Sequence, residues 1–177
     1  MDRKKSISDI MEKLYLFSNF VKKESKQVLS DINVHAENFY RDLLNILFKY
    51  ELENESFKTQ NSRVIDLLDD INGIAVQVTL DTGIDKIKET VIGFMEEKQY
   101  EQYELKILII GNKKKYKVNK VKSEAYTFHM RNNIWDNNFF NSILVDKSNT
   151  ELQAVLDLLD RDVAKFIEAQ AEASREE

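Results

Sequence analysis

The chain has 177 residues, 42% apolar and 10% aromatic, with a net charge of −5. That composition builds a folded domain able to bury roughly 70% of its unfolded surface and excludes a disordered tail. With no cysteine and only two histidines, His35 and His129, disulfides and thiolate sites are excluded and zinc is disfavoured.

Ile7, Ile10, Met11, Leu14, Phe17 and Val21 recur at three and four residues, which predicts an amphipathic N-terminal helix. A second helix is predicted after Asn33, acting as N-cap, with Ala36, Phe39, Tyr40, Leu43, Leu44 and Leu47 turned inward. Residues 51–61 are polar and read as a connection. Two β-branched runs follow, Val64–Leu68 and Ile74–Leu80, separated by the turn signal Asp69-Asp70-Ile71-Asn72-Gly73. Helical spacing returns from Ile84 to about Tyr103, and LKILIIG then reads as a strand buried on both faces. A strand, a helix and a strand in this order predict a right-handed crossover with the two strands parallel.

In the last third, a short strand at Ala125–Phe128 leads into a helix, and Ser148-x-x-Glu151 is a capping box opening a helix through Ile167. The sum is an α/β fold with a mixed central sheet flanked by helices, including amphipathic helices at both ends. Residues 1–167 are expected to form one domain and 168–177 a frayed end or linker. No apolar run approaches the ~20 residues of a membrane span and the charged opening MDRKKSISDIMEK has no leader pattern, so no membrane partner and a cytoplasmic location are expected.

Asp66 and Gln77 interrupt the two apolar runs, and a carboxylate inside a strand is costly unless it is paired or binds a cation. If the runs are antiparallel neighbours joined at Gly73, both polar groups lie at the same end of the sheet and can share one ion. Glu37, early in the second helix, offers a third oxygen. Lys86 stands in the first turn of the third helix, against the dipole, either to serve an anion or paired with Asp85 or Glu89. Such a set suits a Mg²⁺-dependent phosphodiesterase, in which the ion orients the phosphate and acidifies the attacking water while Lys86 stabilises the developing charge.

Other residues read more plainly. Asp69 and Asp70 are expected to bond their own turn. Lys88 lies on another helix face than Lys86, His35 and His129 fit structural or exposed positions, and Trp135 fits packing of the aromatic-rich segment. The run Lys113, Lys114, Lys115, Lys117, Lys120, Lys122 is locally basic, either a solvated loop or a footprint for nucleic acid.

The succession HAENFYRDLLNILF, NSRVIDLLDD, GIAVQVT, DKIKETVIGF and ELKILIIG resembles the SMEK domain of bacteria, well over Ile7 to Gly111 and loosely beyond. That domain is similar to a divergent branch of the restriction-endonuclease-like PD-(D/E)xK superfamily, found at the N-terminus of multidomain proteins linked to phage defence. The resemblance implies a restriction-endonuclease-like core and a DNA endonuclease using Mg²⁺ or Mn²⁺. It matches Asp66 to the metal-binding Asp, Gln77 to the Glu or Gln of the (E/Q)xK motif and Glu37 to the helix acid. Thr79 stands where that motif has Lys, so Lys86 is expected to reach in from the helix. It also implies a possible homodimer and a fused or partnered sensor domain. The alternative is an inactive module for binding, sensing or oligomerisation, in which Asp66 and Gln77 satisfy each other.

Overall fold

The computed structural model describes residues 1–26, 30–55 and 64–164 and positions 166, 168 and 175. The chain divides into two compact units, one formed by residues 1–49 and 139–177 and the other by Tyr50–Asn138.

The first unit is helical. Helix α1 (Arg3–Ser25) starts where the Asp2 side chain accepts the Lys5 N–H, and it buries Ile10, Leu14, Phe17 and Val21 along one stripe. It runs a turn beyond the predicted apolar stripe at its start, because the cap lies at Asp2. Helix α2 (Ser30–Phe48) begins earlier than predicted, which leaves Asn33 as an exposed interior residue and not a cap. Helix α6 (Asn149–Asp162) opens with the Ser148–Glu151 capping box, Glu151 N–H on Ser148 Oγ at 3.1 Å and Ser148 N–H on Glu151 Oε2 at 2.8 Å. The three helices pack on one another through a largely apolar interior that includes Leu43, Leu47, Leu152, Val155 and Leu159. Phe17 sits at its centre, with its ring centroid 4.7 Å from Phe39 and 6.0 Å from Tyr40. Ile167 and most of the expected tail 168–177 lie outside the described residues.

The second unit is built on a five-stranded sheet: β1 (Glu53–Asn54), β2 (Leu67–Asp69), β3 (Ile74–Thr79), β4 (Glu104–Ile109) and β7 (Ile134–Trp135), in that spatial order. The first three are antiparallel, and β3, β4 and β7 run parallel, so the sheet is mixed as expected. A ribbon of β5 (Lys120–Lys122) and β6 (Thr127–His129) forms a second sheet. Helix α3 (Ile84–Glu96) joins β3 to β4 and buries Ile87, Val91 and Phe94 against a cluster that includes Ala75, Leu105, Ile107 and Ile109. Short α4 (Met130–Asn133) leads into β7, and α5 (Asn137–Leu144) follows, with the division between the units inside it.

Several boundaries differ from the sequence pattern. The strand expected at Ala125–Phe128 is Thr127–His129, and the helix expected after it is broken into α4 and α5 by β7. The strand expected at Val64–Leu68 begins only at Leu67, because Val64–Asp66 bends away from the ladder. Helix α3 stops at Glu96 and not near Tyr103: a 3₁₀ turn at Lys98–Tyr100 swings Tyr100 back to stack on Phe94, with ring centroids 5.7 Å apart. The predicted connection 51–61 holds β1, and its residues 56–61 lie outside the described set. In the β2–β3 turn Asp69 is as read, whereas Asp70 Oδ1 accepts the Tyr103 hydroxyl at 2.8 Å, from outside the turn. Asp69 Oδ1 accepts the N–H of Ile71 and of Asn72, its Oδ2 accepts Glu51 N–H and Asn72 Nδ2, and Gly73 takes φ +67°, a conformation that glycine adopts without penalty.

Candidate functional site

Strand polarity decides which residues share an end of the sheet. β3 and β4 are parallel, so Thr79 and Ile109 finish together, and Ile110 N–H extends the ladder onto Thr79 O at 2.8 Å. β2 runs antiparallel to β3, so its start, and Asp66 just before it, lies at that same end. The end of β1 joins them, since Glu55 N–H bonds Asp66 O at 2.8 Å. In open α/β sheets, ligand sites gather where parallel strands end.

Asp66 occupies the place where β2 breaks off. Its N–H still reaches Val76 O at 3.0 Å, but the chain then leaves β3, and the Asp66 carboxylate replaces the missing backbone acceptor by taking the Val78 N–H on Oδ2 at 2.7 Å. Burial pushes this carboxyl up to about 6, against the downward pull of the Val78 hydrogen bond and of the Lys86 charge. Lys86 is half-buried on α3, one helical turn before Thr90. Thr90 Oγ1 donates to Gln77 Oε1, and both side chains are buried. The segment before Asp66 also lies against α3, where a Cβ on Gly93 would come within 3.0 Å of Val64 Cγ2.

The structure therefore places Asp66, Gln77, Thr79 and Lys86 in one unit, on the strand ends and the helix that follows them. Glu37, half-buried on α2, belongs to the helical unit. Gln77 Oε1 accepts from Thr90 and Asp66 Oδ2 from Val78 N–H, so the pairing of Asp66 with Gln77 is not what holds either oxygen. Thr79 Oγ1 accepts Asp81 N–H at 3.0 Å and, as a hydroxyl, keeps its own proton to donate. Lys88 is exposed, as are His35, set edge-on to Phe166, and the side chain of His129. Trp135 is buried with the Lys106 ammonium 5.4 Å from its ring centroid.

Two residues were not singled out by the sequence pattern. Thr90 lies on the apolar stripe of α3, three residues after Ile87, and a hydroxyl in that stripe is the signal for a buried polar partner. Glu55 is buried beside the Asp66 backbone. It sits in a polar segment with no periodicity, so nothing marked it.

Among the described residues no three His, Cys, Asp or Glu side chains are grouped to hold an ion by themselves. The donors fit instead a hard divalent cation that keeps most of its water, which asks for one or two carboxylates plus substrate phosphate. Asp66 suits that task, because a desolvated carboxylate held near pH 6 is one whose charge a cation would restore.

Fold and site together define a mixed-sheet α/β domain with a partly desolvated acid, a buried amide and a lysine at one end of its parallel strands. The SMEK domain family profile matches residues 9–144, and the chain belongs to that family. No curated protein and no solved structure matches it. Among the described residues no helix is long and apolar enough to cross a membrane.

Proposed function

We propose that this SMEK domain is a metal-dependent nuclease that hydrolyses DNA phosphodiester bonds, an effector of the kind used in bacterial antiviral defence. The observation that carries the reading is the Asp66 carboxylate: it is desolvated, raised to about 6, and within electrostatic reach of Lys86 at the end of the sheet. At neutral pH the group is largely ionised, yet poorly compensated, as a cation ligand would be. Asp66 and the Gln77 carbonyl, which has a second lone pair beyond the one Thr90 uses, would hold Mg²⁺ or Mn²⁺. That ion would supply charge stabilisation on the phosphate and a more acidic attacking water. Lys86 would neutralise the developing charge on the phosphate from the first turn of α3, in place of the lysine that Thr79 replaces. Thr79 would donate its hydroxyl proton to a phosphate oxygen while its oxygen stays fixed by Asp81 N–H. Glu37 is not needed for this assignment.

A second reading rests on the Gln77–Thr90 bond, which satisfies the amide oxygen inside the sheet as an inactive binding module would. Plasmid cleavage separates the two. In Mg²⁺ or Mn²⁺ the wild-type protein should nick or linearise supercoiled DNA, and Asp66→Ala and Lys86→Ala should each slow it by about a hundredfold. Either metal should also raise the melting temperature of the wild type and not of Asp66→Ala. Absence of cleavage in both metals, or an Asp66→Ala variant that cuts like wild type, defeats the nuclease reading.

A further inference from the structure

Residues 113–131 carry six lysines and Arg131 against the single carboxylate of Glu124, in a chain whose net charge is −5. Excess charge of one sign confined to so short a stretch calls for a ligand of the other sign or for solvent alone, and the geometry decides between these. The loop after β4 and the β5–β6 ribbon do not spread these cations at random. Lys113, Lys114, Lys115 and Arg131, with Tyr116 and His129, line a hollow of about 690 Å³, and Lys117, Lys120 and Lys122 follow on the same loop and ribbon. On the ribbon, Val121 pairs with Phe128 on the face turned to the core, which leaves Lys120, Lys122, Thr127 and His129 on the outer face. Among the described residues none of the six lysines enters a salt bridge.

The hollow is tied to the candidate site. The loop leaves β4 beside the end of β3, and Tyr116 donates its hydroxyl to Thr82 O at 2.8 Å, in the turn between Thr79 and α3. Nearer β4 the loop is anchored where Lys113 N–H bonds the buried Asp136 carboxylate at 2.9 Å. The basic surface is thus held in place by backbone and tyrosine contacts, with its ammonium groups left in solvent.

We propose that this hollow and the outer face of the β5–β6 ribbon bind the phosphodiester backbone of the nucleic acid, and lead it to the Asp66–Lys86 end of the sheet. A repeating polyanion is favoured over a single phosphate because the cations extend along a loop and a ribbon and do not converge on one point. Cations arranged in this way hold the backbone and read no sequence, so specificity is not expected from them. The inference rests on the nuclease reading for its choice of ligand, and it is tested by binding alone.

The experiment is fluorescence anisotropy with a labelled DNA duplex in EDTA, so that cleavage plays no part. Lys114→Glu/Lys115→Glu/Lys117→Glu should weaken binding more than tenfold for unrelated sequences alike. It should also reduce the slope of log K against log salt by about 2 to 3, near 0.9 for each phosphate that the protein no longer neutralises. The three side chains are exposed, so the melting temperature should hold. Arg131→Gln should weaken binding in the same direction by a smaller factor. Unchanged affinity in the triple variant, or equal binding of poly-glutamate, overturns the proposal. Duplex binding abolished in the triple variant while the wild type never cuts DNA would leave this surface standing and the nuclease reading fallen. Metal-dependent cutting with unaltered DNA binding in the triple variant would do the reverse.

Discussion

The two units bury polar groups on opposite terms. Among the described residues, the buried polar residues of the helical unit are Ser6 and Ser18, and the Ser18 hydroxyl donates to Leu14 O at 2.9 Å within its own helix. Tyr40, its largest buried side chain with a polar atom, stays neutral, since burial holds its phenol well above the usual value. The sheet unit buries Glu55, Asp69, Gln77, Thr90, Asn133, Asp136 and Asn137, and largely desolvates Asp66 besides. An apolar interior stabilises in proportion to its area, whereas buried polar groups stabilise little at best and fix particular geometries. One interior is thus held mainly by area, and the other also by specific bonds such as those of Asp69 to its turn and of Asp136 to the Lys113 loop.

The largest effect belongs to the plain interior. Phe17→Ala should cost about 3–5 kcal/mol, since the ring is fully buried, lies 4.7 Å from Phe39 and 6.1 Å from Phe166, and leaves a cavity that helices cannot easily close. Chemical denaturation measures it. A loss below about 1 kcal/mol would mean that the helical unit is not packed as a core, and the contrast between the units would go with it.

Next is Asp66→Asn, and here the sign is reversed. The Asp66 carboxyl has its folded pKa raised from the usual 3.8 to about 6, so between these values the folded state holds a proton that the unfolded state has lost. Stability from this group is full below about pH 4 and falls as pH rises through 6, by about 3 kcal/mol in all. Asn keeps an acceptor for Val78 N–H and carries no charge. The variant should therefore be more stable than wild type at pH 7.5, match it near pH 4, and lose DNA cleavage. Equal stability at both pH values would show that the carboxylate is not strained. A gain in stability coupled to a loss of activity is the pattern of a functional acid.

How far the sequence reveals this depends on where each signal originates. The α1 stripe, the Ser148–Glu151 box, the β3 run and the Asp69 turn are local: spacing, a cap or a turn aspartate carries the information within a few residues, and the structure agrees at each. The mixed α/β architecture follows from them through the β3–α3–β4 crossover. β1 and β7 have two residues each, and their pairing is set by the neighbouring strand, not by their own composition. Likewise Asp66 reads as the third residue of a strand, yet it is the residue at which the strand fails. Its bond to Val78 N–H replaces a rung of the ladder, and no periodicity signals a ladder that ends early. Of the site residues, Asp66, Gln77 and Lys86 were legible as polar groups in the wrong place. Thr90 was hidden because one hydroxyl on an apolar stripe looks like tolerance, and becomes meaningful only when Gln77 is seen to receive it.

That last pair offers the finest test, because it asks whether Gln77 is kept for the fold or for the ligand. Thr90→Val leaves a buried carbonyl without its donor and should cost about 1–3 kcal/mol. Gln77→Met removes the acceptor at similar volume, and the Thr90 hydroxyl can turn to the carbonyl one turn back in α3, so the loss should be smaller. The double variant should be more stable than the two losses added, with a coupling of about 0.5–3 kcal/mol. Cleavage rates then decide the role. If Gln77 serves the ion, Gln77→Met and the double variant lose activity alike, while Thr90→Val, which frees the amide oxygen, keeps most of it. If Gln77 only completes the interior, the double variant recovers activity together with stability, and the polar interior of the sheet unit is structural at this position after all.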